Sequence, residues 1–91
     1  MRGNIMSIEI IRKKNSHQTI MKVGDEYVLI SETGPELTEG FVEHPETLAF
    51  LCDEDGNVQS WTTVAGGSMM QTHDVIMEIS QYGINKRGAF Q

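Results

Sequence analysis

The sequence predicts a small α+β domain: an antiparallel β-sheet of about five strands in two hairpins, with one C-terminal helix packed on it. Three observations carry that expectation. The pairs Gly24-Asp25 and Asp55-Gly56 each stand between two apolar runs, where a primed hairpin turn belongs. Val75, Ile76, Ile79 and Tyr82 fall at i, i+1, i+4 and i+7, which makes one apolar helical face. The chain has 91 residues, enough for one domain and one core but not two. Residues 1–6 and 84–91 are expected to be flexible ends of that domain unless Ile84 or Phe90 docks.

Taken in order, Ser7 to Lys14 is rich in β-branched apolar residues and reads as a first strand. His17 to Ser31 reads as a hairpin about Gly24-Asp25. A two-residue turn there sets Met21 opposite Val28 and Ile20 opposite Leu29, so both faces of the hairpin carry apolar side chains. One helix covers one face, and a homodimer or higher oligomer is expected to bury part of the other. Glu32 to Glu46 holds two Gly, two Pro and five Glu and reads as loop, with Phe41-Val42 as a short edge strand or a plug for the core.

Leu48 to Val64 reads as a second hairpin through a type I′ turn at Asp55-Gly56. That pairing sets Phe50 opposite Trp61 and Leu51 opposite Ser60. Such an aromatic pair contributes roughly 0.2–1 kcal/mol and fixes the register. If Trp61 lies in the core, truncating it costs about 3–5 kcal/mol. A competing reading begins a short helix at Pro45 and runs it through Cys52.

Before the final helix stands a glycine pair, Gly66-Gly67, in the place of a phosphate cradle. With Ser68 as N-cap, Gln71 completes a capping box and the glycines present free N–H groups to an anion. With Thr72 as N-cap, Asp74 lies in the first turn and the glycines only turn the chain. The apolar periodicity favours the second register. The pattern is neither G-x-x-x-x-G-K-[ST] nor G-x-G-x-x-G, and no basic side chain stands near it, so a structural loop is expected. Gly83 supplies the helix stop.

Charge is distributed more informatively than its sum of −6 suggests. The Lys and Arg residues are Arg2, Arg12, Lys13, Lys14, Lys22, Lys86 and Arg87, with none between Val23 and Asn85. That window holds twelve of the thirteen acids. Nucleic-acid binding through the middle of the chain is thereby disfavoured, since phosphate contacts need Lys and Arg. No apolar run is long enough for a membrane span or, in Met1 to Ile11, for a signal peptide, so a cytoplasmic location is expected. The single cysteine, Cys52, fits a reducing compartment.

Catalytic and metal signatures are missing. Asp53 to Asn57 alternates oxygen ligands but lacks the glycine and glutamate positions of a calcium loop. His17, His44 and His73 show no metal-ligand spacing, and Cys52 has no local catalytic partner. No cofactor or metal is expected, nor is an enzyme. The size and acidity are those of small accessory or inhibitor proteins such as phages carry. The leading expectation is a binding protein that engages a basic protein partner, with no direct nucleic-acid or membrane contact, as a charge mimic of nucleic acid. Its contact residues would be Glu32, Glu36, Glu39, Glu43, Glu46, Asp53, Glu54 and Asp55. The alternative is an oligomer that binds a compact, nucleotide-like ligand through Arg12, Lys13, Lys14, Lys86 and Arg87, with Trp61 and Tyr27 for stacking.

Overall fold

Residues 7–33 and 46–86 are described in the computed structural model. They form β1 (Ile8–Asn15), β2 (Gln18–Val23), β3 (Glu26–Thr33), β4 (Glu46–Cys52), β5 (Val58–Ser68) and α1 (Thr72–Tyr82). The strands make one antiparallel sheet in the order β1-β2-β3-β4-β5, and the helix follows it, so the small α+β class is correct. Glu46–Cys52 is strand, and the competing helix from Pro45 is not formed in these residues. Phe41-Val42, Glu36, Glu39, Glu43 and Arg87 lie outside the described residues.

The β2–β3 hairpin follows its turn chemistry. Gly24 has φ +61 while Asp25 does not take positive φ, the pattern of a type II′ turn. Met21 therefore stands opposite Val28 and Ile20 opposite Leu29. On one sheet face Met21, Val23, Val28, Ile30 and Ala49 join Val64, Ala65, Val75 and Ile79 in the main core under α1.

On the other face Ile20, Leu29 and Cys52 form a second cluster, flanked by Ile11, Tyr27 and Val58. The tip of the β4–β5 hairpin covers it. Gly56 lies so close to Ile20 that a Cβ there would come within 2.8 Å of Ile20 Cδ1. The Lys14 ammonium donates to the Gly56 carbonyl at 3.0 Å, and Arg12 meets Asp55 at 4.0 Å. In a flat sheet β4 and β1 would stand about 14 Å apart. These contacts therefore require the sheet to coil on itself, helped by register shifts in β1 and β5. A homodimer or higher oligomer is not required to bury the second face.

Helix α1 is capped one residue before the expected position. Gln71 is the N-cap, and its N–H donates to the Asp74 carboxylate at 2.9 Å. Ser68 belongs to β5, so neither Ser68 nor Thr72 caps the helix. Val75 and Ile79 are buried and Ile76 packs beside them, but Tyr82 is 80% exposed and leaves the apolar face. Gly83 ends the helix, its N–H bonding Ile79 O at 2.7 Å. Beyond it Ile84 packs on the main core, Asn85 N–H reaches Val64 O at 2.8 Å, and Lys86 pairs with Glu26. Residues 84–86 are thus docked rather than loose.

Candidate binding surface

The glycine pair is part of the sheet. Gly66 and Gly67 stand opposite Leu48 and Thr47 in the β4–β5 ladder. A Cβ on Gly66 would fall 2.2 Å from the Thr47 carbonyl oxygen, so the close approach of two strands accounts for that glycine. Its N–H donates to the Glu78 carboxylate at 3.1 Å. A carboxylate of the helix holds the donor that a phosphate would need.

The β4–β5 tip is organised by Asp53. One carboxylate oxygen accepts from the N–H groups of Asp55 and Asn57, each at 2.9 Å, and the other from Asn57 Nδ2 at 3.2 Å. Gly56 N–H reaches Asp53 O at 3.0 Å, with φ +88 at Gly56 and no positive φ at Asp55. The turn is therefore not type I′. An Asx-type network spreads it over residues 53–57, closed by the pair Cys52–Val58. Hydrogen bonds from the Asn57 backbone and side chain hold the Asp53 carboxyl below the ordinary aspartate range.

A different turn gives a different register. Phe50 stands opposite Thr63, not Trp61, and Leu51 is not opposite Ser60. Between the pairs Phe50–Thr63 and Cys52–Val58 β4 advances two residues and β5 five, so the additional residues bulge from the ladder. Ser60 Oγ accepts from Thr62 N–H at 3.3 Å and donates to Thr62 Oγ1 at 3.1 Å, which braces the bulge. Trp61 sits within it. Its indole still meets Phe50, edge to face with centroids 5.0 Å apart, but 73% of the residue is exposed. Trp61 is not a core residue. It is a large apolar group displayed on a braced bulge and steadied by the buried Phe50.

The expected acidic contact residues separate by role. Glu32 accepts the Thr72 N–H at 3.2 Å and so anchors the start of α1. Asp53 is committed to the hairpin turn, and Asp55 lies against Arg12. Glu46 and Glu54 are exposed, at opposite ends of the β4 strand. The basic and aromatic residues of the alternative set also separate. Arg12 and Lys14 reach the β4–β5 tip, Lys13 bonds Ser16 O at 3.3 Å, and Lys86 pairs with Glu26. The Tyr27 ring lies under the Lys22 ammonium, 5.8 Å from its centroid.

Cys52 is buried, and burial first, then the Asp53 carboxylate, raise its pKa, which disfavours the thiolate a nucleophile needs. Among the described residues no group of three His, Cys, Asp or Glu side chains is placed to hold a metal ion, and no helix is long and apolar enough to cross a membrane.

One feature had no sequence signal. A cleft of about 430 Å³ lies between the β2–β3 turn and the end of α1, lined by Asp25, Glu26, Tyr82 and Lys86 over Val23 and Ile84. A smaller one of about 260 Å³ shares Asp25 and Glu26 and extends to Cys52 and Gln59. Only the tertiary docking of the helix end brings these residues together. Comparison of the chain with protein-family models, curated proteins and solved structures found no match.

Proposed function

We propose that this is a non-enzymatic binding protein for a basic protein partner, with the β4–β5 hairpin as the described part of its contact surface. The observation that carries the reading is Trp61, exposed on a braced bulge and held edge-on to Phe50. Large aromatic side chains held rigid in solvent lose little conformational freedom on contact, and tryptophan is enriched among residues that dominate interface energies. Glu54 and Asp55 stand exposed on the same hairpin. In a chain of net charge −6 they favour a partner that carries Lys and Arg around an apolar pocket. The role of an accessory or inhibitor protein belongs to this same reading.

Charge variants test it. The partner captured by crosslinking to the wild-type protein is purified, and its association rate is measured at two salt concentrations. Glu54→Gln with Asp55→Asn is expected to slow association several-fold at low salt and to flatten the salt dependence. Glu36→Gln, Glu39→Gln and Glu43→Gln together serve as the comparison. Wild-type rates in both variants would remove the basic partner from the reading.

A further inference from the structure

We infer that the cleft between the β2–β3 turn and the end of α1 receives a lysine or arginine side chain of the partner, and that Lys86 fills it in cis until then. The inference rests on the proposed basic partner and names where a cation is held. Four features of the cleft suit an alkylammonium or guanidinium group. Asp25 and Glu26, consecutive at the β2–β3 turn, both line the cleft, and Asp25 makes no ion pair among the described residues. Tyr82, at the end of α1, also lines the cleft and is 80% exposed, and an aromatic ring attracts a cation to its π-system. Val23 and Ile84 supply apolar surface for the stem of a long side chain. Helix α1 carries no basic residue in its last turn, so the negative end of its dipole is not compensated within the helix.

The molecule itself shows that a cation fits. The Lys86 ammonium pairs with Glu26 inside this cleft, while its own side chain remains more than half exposed. A partially exposed ion pair of this kind is weak and exchangeable, so an incoming side chain displaces it readily. The smaller cleft shares the same two carboxylates and reaches Gln59, two residues before Trp61. One basic segment can therefore set a side chain at Asp25 and Glu26 while an adjoining surface meets Trp61.

The test uses the full chain and pentalysine as probe, followed by amide chemical shifts in low salt. Shifts are expected at Gly24, Asp25 and Gly83. Lys86→Ala removes the internal competitor and should tighten binding about two- to fivefold, the occupancy expected of an exposed ion pair. Lys13→Ala makes the same change in net charge away from the cleft and should leave affinity nearly unchanged. Asp25→Asn should weaken it. Equal tightening by Lys86→Ala and Lys13→Ala, or shifts confined to Glu54 and Asp55, would overturn the cleft while leaving the basic partner standing. No saturable shift anywhere would count against both.

Discussion

Met69 adopts φ +64, a left-handed conformation that disfavours any residue with a Cβ, and its side chain is mostly in solvent. Met69→Gly should therefore raise stability by about 0.5–1 kcal/mol, part of the relieved strain being offset by the freer unfolded chain. The check is the denaturant midpoint at constant slope. Gly66 is the opposite case, with φ +101 and the backbone of Thr47 and Leu48 against it. Gly66→Ala should cost about 2–5 kcal/mol, from backbone strain and overpacking together, and much of the population should unfold. If Gly66→Ala melted like wild type, the close approach of β4 and β5 would be wrong. Neither residue's role was legible in sequence. Gly66 looked like part of a loop because the strand that crowds it lies about twenty residues away, and Glu78 and Glu32 bond to Gly66 and Thr72 across 12 and 40 residues.

At the level of elements the two hairpins behave differently. The β2–β3 register was readable because Gly24-Asp25 makes a two-residue turn, and a two-residue turn leaves the flanking strands one way to pair. The β4–β5 strands were readable but their register was not. Asp55-Gly56 looked like the turn, yet the Asp53 carboxylate gathers the N–H groups of the next residues and lengthens it. The bulge follows, and with it the exposure of Trp61. This dependence on a carboxylate has a pH signature. The folded Asp53 pKa lies below its unfolded value, so the unfolded chain binds more protons as pH falls through the acid range. The stabilisation is complete above the ordinary aspartate pKa and is lost as pH falls through the depressed folded value. The amide shifts of Asp55 and Asn57 should titrate together with that depressed pKa. Titration at the ordinary aspartate value would show that the network does not hold the tip.

Over the whole molecule, the sequence identified the fold class and the helix face, because turn pairs and apolar periodicity are local signals. The coiling of the sheet was not local. It lets the β4–β5 tip cover Ile20, which removes the open second face inferred from the alternation in β2 and β3. It also sets Arg12 and Lys14 beside the tip, so acids and bases well separated along the chain meet in space. The acidic surface is consequently less uniform than a count of carboxylates implies, with Glu32, Asp53, Asp74 and Glu78 all bonded to backbone N–H groups. Trp61 is one of the large apolar side chains that this arrangement leaves displayed, and it stands on the same hairpin as Glu54 and Asp55. The most direct measurement is the affinity of Trp61→Ala for the purified partner, set beside its melting midpoint. A contact anchor predicts at least a roughly thirtyfold weaker complex, whereas loss of one exposed edge-to-face pair should cost the fold only about 0.5–1.5 kcal/mol. Wild-type affinity in Trp61→Ala, or unfolding in place of weakened binding, would contradict the account.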